Sequence, residues 1–80
     1  MNSEKFIEIG SGNIVQATRV LCVAIADSAP IRRMITEARD RSMLIDCCGG
    51  KKCHSVLIMD SDHVITSALE AEELKGRLEC

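Results

Sequence analysis

Aromatic residues are all but missing from this chain: Phe6 stands alone among 80 residues, with no tryptophan or tyrosine. Proteins that grip single-stranded nucleic acid stack bases on several rings, so the composition argues against that mode. No apolar run approaches the ~20 residues that a membrane-spanning helix needs. The opening residues, Met1-Asn2-Ser3-Glu4-Lys5, lack the basic start and long apolar middle of a secretion signal. A cytoplasmic protein without membrane contact is therefore expected. Catalytic signatures are absent as well: no phosphate-binding glycine loop, nucleophile elbow or Ser/His/Asp order occurs. The Gly10-Ser11-Gly12 string lacks the third glycine and the following helix of a dinucleotide site. The chain is expected to be no enzyme, with no cofactor and no small-molecule substrate.

A surplus of positive charge is also missing, since the net charge is −2. That argues against a general polycation. The charge is unevenly spread, however. Residues 1–52 hold eight basic and six acidic side chains, and residues 53–80 hold two and six. A local basic face can coexist with an acidic tail.

What the chain does have is aliphatic surface. Hydrophobic residues make up 46%, nearly all of them aliphatic. Eighty residues suggest one domain over 1–80, and so small a body buries a modest fraction of its surface. Self-association would bury the remainder. Five cysteines, Cys22, Cys47, Cys48, Cys53 and Cys80, are many for this length. Their odd number, without an export signal, does not support a disulfide framework.

The stretch from Met43 to Met59 organises the reading. Two apolar segments flank Gly49-Gly50-Lys51-Lys52, a strong local hairpin signal. A four-residue loop would oppose Cys48 to Cys53, Ile45 to Val56, Leu44 to Leu57 and Met43 to Ile58. This register pairs apolar side chains better than a two-residue loop does. Upstream, Lys5 to Ile9 reads as a strand, Gly10 to Asn13 as a turn, and Ile14-Val15 as extended chain. Val20 to Ala26 is unbroken apolar sequence, which predicts a central strand covered on both faces, with Arg19 at its start. Asp27-Ser28-Ala29-Pro30 reads as a helix start, with Ser28 able to cap and Pro30 in the first turn. Ile31, Met34, Ile35 and Ala38 then share one face, and the pairs Arg33–Glu37 and Glu37–Arg41 stand at i,i+4 spacing. Asp60 to His63 makes a second turn into Val64–Ala68, and Glu70 to Leu78 reads as a short helix. The expected class is α+β: a small antiparallel-rich sheet of about five strands, one amphipathic helix after the central strand, and a short C-terminal helix.

Candidate chemistry gathers at the Gly49-Gly50 turn. Lys51 and Lys52 could contact phosphate, although two lysines at a loop tip are more often plain surface. Arg19 has an equally plain use as a solvated strand-end charge. Arg32 and Arg33 stand near a helix start, where the dipole does not favour cations, which hints at an anionic partner within the protein or outside it and makes both further candidates for DNA binding. Cys47, Cys48, Cys53 and His54 invite a zinc site, but Cys47 and Cys48 would point to opposite faces of a strand and could not easily share a metal. Cys48 and Cys53 across the turn are better placed, either as two thiols or as a redox-sensitive disulfide, while small buried or half-buried thiols are the plainer and preferred reading of the cluster. Cys22 is expected in the core and Cys80 at the surface. The Asp60-Ser61-Asp62-His63 string is better explained by turn formation than by acid–base chemistry.

Three blocks carry a resemblance: K-F-I-E-I-G-S-G-N-I-V (5–15), S-A-P-I-R-R-M-I-T-E-A-R-D-R-S-M-L-I-D (28–46) and V-L-I-M-D-S-D-H-V-I-T-S-A (56–68). Together they are similar to the RemA family, small bacterial regulators of extracellular-matrix genes, over about residues 5–78. The resemblance implies a transcriptional regulator that binds duplex DNA, is not catalytic, and forms a ring-like homo-oligomer. It carries a DNA-binding role over to Arg19, Lys51 and Lys52. The chain departs from the family in two respects. Its basic pair is Lys-Lys where the family has Arg-Arg, so contacts would be point charges without a bidentate fork. Its Cys-Cys-Gly-Gly-Lys-Lys-Cys loop replaces a cysteine-free one, which leaves a cysteine-based redox-sensing or metal-sensing oligomer as the alternative. The implied location is the nucleoid.

Overall fold

The computed structural model of the chain describes residues 5–79, so Cys80 lies outside the described residues. Six strands and two helices follow in order: β1 Phe6–Gly10, β2 Asn13–Gln16, β3 Val20–Ile25, α1 Ala29–Asp40, β4 Leu44–Cys47, β5 Ser55–Met59, β6 Val64–Ser67 and α2 Ala71–Glu79. The α+β class and both helices agree with the sequence reading. The strands divide into a β1-β2 hairpin and a four-stranded sheet ordered β3-β5-β6-β4. Every pairing is antiparallel except β4 with β6.

The period-2 pattern of β1 and β2 builds the hairpin. Ile7 opposes Val15, and both turn inward with Ile9, while Phe6 and Ile14 stay exposed. The turn between the strands places Gly10, Ser11 and Gly12 at positive φ. In α1, Ser28 occupies the N-cap in an extended conformation, with Pro30 in the first turn. Its hydroxyl makes no capping bond, contrary to expectation. The Ser28 carbonyl instead accepts the Arg32 N–H at 2.9 Å, which is the first turn of the helix.

The four-stranded sheet is covered on both sides. Ile31, Ile35 and Ala38 of α1 pack against Leu44, Val56, Ile58 and Val64 on one face. On the other, Ile7, Ile9 and Val15 of the hairpin and Leu74 of α2 meet Cys47, Leu57, Met59 and Ile65. Successive residues of β5 and β6 therefore point into two different cores. Val56 and Leu57 are both fully buried, and all four residues of β6 are buried.

Two expectations need correction. The apolar strand β3 lies at the edge of the sheet and not at its centre. Leu21 is 69% and Ile25 62% exposed, and Cys22 is exposed where a core thiol was expected. Leu21 falls in a register shift between Val20 and Cys22, so β3 lacks a regular ladder there. A continuous apolar run shows that both faces can be buried, but not that this chain alone buries them.

The second correction concerns the hairpin predicted around Gly49-Gly50. β4 and β5 are not neighbours, because β6 lies between them. Ile45 pairs with Ile65 and Leu44 with Val64, both in parallel register. The local antiparallel hairpin is β5-β6. It closes through the Asp60–His63 turn, where the Met59 N–H donates to the His63 carbonyl at 3.0 Å and Asp62 takes a positive φ of 72°. This short turn brings β6 against β5 and excludes β4, and the segment between β4 and β5 becomes a crossover above the end of β6.

Candidate nucleic-acid interface

The turn residues read from sequence still shape that crossover. Gly49 and Gly50 take φ of 62° and 82°, and the Lys51 N–H donates to the Cys48 carbonyl at 3.1 Å. Positive φ at both central positions with this bond is the pattern of a type I′ turn, so the glycines make a tight bend without a strand hairpin. Lys51 and Lys52 follow on the exposed side. Among the described residues, neither lysine side chain takes part in a salt bridge or side-chain hydrogen bond.

Four attachments hold this cationic loop. Cys48 and Cys53 are joined by a disulfide, with Cα atoms 5.6 Å apart. The Asp46 carboxylate accepts the Cys48 N–H at 2.9 Å and the Thr66 hydroxyl at 3.0 Å, which ties the start of the loop to β6. At its far end, the His54 N–H donates to the Ser67 carbonyl at 2.9 Å, and the His54 carbonyl accepts the Ala26 N–H at 3.1 Å. The Ser11 side chain lies against Gly49, where any Cβ would collide with it. The nearness of Cys48 to Cys53 was legible in sequence, but the disulfide corrects the plain-thiol reading preferred there. Asp46 and Ser11 were not singled out, although an Asp three residues before a turn glycine, able to accept the N–H two positions on, is a recognisable signal for backbone capture. Nothing in the sequence pointed to Ser11.

Arg19 lies elsewhere. It ends a 3₁₀ turn, Ala17–Arg19, at the start of β3. Its Nη1 is 3.3 Å from Asp60 Oδ2, and its Nε donates to Gln16 Oε1 at 3.3 Å. The Asp60 N–H also donates to the Arg19 carbonyl at 2.9 Å. The Arg19 side chain is 62% exposed, and its guanidinium offers five donors, more than these contacts use.

The antiparallel register separates these cations. Val20 pairs with Met59 at one end of the sheet and Ile25 with Ser55 at the other. Arg19 thus stands at the Met59 end, while Lys51 and Lys52 stand beyond the Ser55 end. With a strand rise near 3.3 Å per residue, roughly 15–20 Å of sheet lies between them. Arg32 and Arg33 open α1 on the lysine side of the sheet. Arg32 Nη1 is engaged by Asp27 Oδ1 at 2.9 Å, which supplies the anionic partner suspected from its position. Arg33 has no side-chain partner among the described residues, and neither Arg33–Glu37 nor Glu37–Arg41 closes into an ion pair.

The metal alternative also has a location. Asp46, Cys48 and Cys53 place one ligand atom each within 4.8 Å of one another. With the disulfide closed, neither sulfur is a thiolate, the form that binds metal. Cys47, next in the chain, faces the core, and burial together with the Asp46 charge pushes its thiol up from the ordinary range. Cys47 belongs to the core cluster, whereas Cys48, one residue past the end of β4, is held in the disulfide. No helix among the described residues is long and apolar enough to cross a membrane.

Comparison with known proteins gives a consistent picture. A family model described as RemA-like, extracellular matrix regulatory protein A-like, matches residues 6–78. The chain is 54% identical over 74 residues to a protein of Carboxydothermus hydrogenoformans named "Putative regulatory protein", covering 92% of this chain and 85% of that one. Proteins of the same name are similar in Natranaerobius thermophilus, at 51% over 95% of this chain and 85% of that one, and in Bacillus pumilus, at 53% over 92% and 83%.

Proposed function

This chain belongs to the RemA-like family of regulatory proteins, and from that premise we propose that it regulates transcription by binding duplex DNA as a ring of identical subunits. The observation that carries the reading is the placement of its cations. Arg19 and the Lys51-Lys52 pair sit at opposite ends of one sheet, so a single subunit offers two separate patches and no continuous track. Head-to-tail repetition would set the Arg19 end of one subunit beside the lysine end of the next, and a closed ring would make the track continuous. Contacts would fall mainly on phosphates, since lysine offers point charges and the lysine loop is short. Specificity would then come from DNA bendability and repeated spacing. A regulator of this kind would catalyse no reaction and would act at the nucleoid.

Unburied apolar surface supports self-association. Leu21 and Ile25 lie exposed on the unpaired edge of β3, and Phe6 and Ile14 on the outer face of the β1-β2 hairpin. Two different patches suit a heterologous interface, in which one surface meets another.

The test is fluorescence anisotropy of a long labelled duplex, titrated across a salt series with wild type, Lys51→Ala/Lys52→Ala and Arg19→Ala, beside light scattering for subunit number. Wild type should bind with a steep salt dependence, and both variants should lose affinity and slope. Binding that is indifferent to salt, or a monomer that binds as well as the assembly, would overturn the reading.

A further inference from the structure

Both lysines of the proposed DNA contact lie inside the ring that the Cys48–Cys53 disulfide closes. We propose that this disulfide is a reversible redox latch on the lysine loop, with the oxidised protein the tighter DNA binder. The inference rests on the DNA-binding reading of that loop and assigns its regulation.

The loop is held at its base whether or not the disulfide is present, through Asp46 to the Cys48 N–H and through the His54 backbone to Ser67 and Ala26. Between those anchors the chain contains two glycines at positive φ, residues that lose much freedom when ordered. The disulfide is the one covalent restraint on that stretch. Closed, it holds Lys51 and Lys52 in one arrangement before DNA arrives. Open, the same lysines must be ordered on binding, and affinity falls by the cost of that ordering.

The two cysteines differ in access: Cys48 is 1% exposed, whereas Cys53 is half-buried. A low-molecular-weight thiol therefore attacks, as its thiolate, at Cys53 Sγ. The S–S bond breaks, a mixed disulfide forms on Cys53, and Cys48 leaves as a thiolate that takes up a proton. A second thiol displaces Cys53 from the mixed disulfide. The products are two cysteine thiols and one low-molecular-weight disulfide, with two electrons passed to the protein. The same disulfide drives the reverse reaction. Lys51 and Lys52 favour the thiolates electrostatically and the Asp46 carboxylate opposes them. Cys47 stays out of the exchange because it is buried and its thiol is held protonated.

The experiment compares wild type equilibrated with oxidised glutathione against wild type reduced with dithiothreitol, each titrated into a labelled duplex at one salt concentration. Thiol titration on the same samples reports the redox state, and Cys22→Ser removes the exposed thiol on β3. Cys48→Ser/Cys53→Ser is carried through both conditions. The reduced wild type should bind about three- to tenfold more weakly than the oxidised. The serine variant should match the reduced protein under both conditions, and Cys22→Ser should behave as wild type. Equal wild-type affinity in two states that differ by two thiols overturns the latch and leaves DNA binding standing. A serine variant that binds like the oxidised protein overturns it equally. Absence of binding in either state removes the DNA reading itself, and the latch with it.

Discussion

The two ends of the four-stranded sheet handle positive charge in opposite ways. At the Met59 end, Arg19 is already paired with Asp60 and is fixed by a backbone bond between the same two residues. At the Ser55 end, Lys51 and Lys52 are in no salt bridge among the described residues, and the restraint falls on the backbone that carries them. One end positions a cation by satisfying its charge. The other leaves the charges unsatisfied and positions the loop. An exposed ion pair is worth roughly 0–1 kcal/mol, so Arg19 can trade Asp60 for a phosphate at little cost. The lysines have no partner to give up, but their loop has conformational freedom to lose.

Five measurements break or sharpen this contrast. The largest effect is expected from Lys51→Ala/Lys52→Ala, which should weaken duplex binding by about ten- to a hundredfold in an assembly where the loss repeats around the ring. Arg19→Ala should follow with a smaller loss. If Arg19→Ala changes nothing in anisotropy, the two ends do not share one DNA path. Next is Gly49→Ala, which forces a side chain into a positive φ and against Ser11. It should cost about 1–3 kcal/mol in urea unfolding, and adding Ser11→Gly should restore part of that. Full stability in Gly49→Ala would mean that Ser11 does not brace the loop.

Asp60→Asn tests the paired end. Stability should move by less than about 1 kcal/mol, because the ion pair is exposed, while duplex affinity rises a few-fold as Arg19 is released. A fall in affinity would show that Asp60 orients Arg19 instead of competing for it. The smallest effect concerns Cys47, at the base of the lysine end. Its folded thiol is raised above the unfolded one, so the folded state holds its proton longer. Stability from this group is present below the unfolded thiol pKa and declines as pH rises through the interval up to the folded value. Urea midpoints of wild type should therefore fall more steeply toward alkaline pH than those of Cys47→Ala. Parallel curves would show that Cys47 is not shielded.

Local features were the most legible. The β1-β2 hairpin, the start of α1 at Ser28-Ala29-Pro30, the Gly49-Gly50 bend and the nearness of Cys48 to Cys53 depend on residues a few positions apart. Strand neighbours were not legible. Ile45 had apolar candidates opposite it in both Val56 and Ile65, and hydrophobic pattern alone does not choose between them. Arg19 was identified as a cation, but its partner Asp60 lies 41 residues away, and no short-range signal joins the two.

By itself, then, the sequence determined the turns, the amphipathic helix, the basic character of the crossover loop and the α+β class, because each follows from backbone preference or side-chain period over a few residues. Only the tertiary structure decided that β6 enters between β4 and β5, that β3 stands at the edge, and that Arg19 and the lysines occupy opposite ends. Those outcomes depend on which strands bury both faces together, a non-local choice set by the competition of the short Asp60–His63 turn with the longer Cys48–His54 connection.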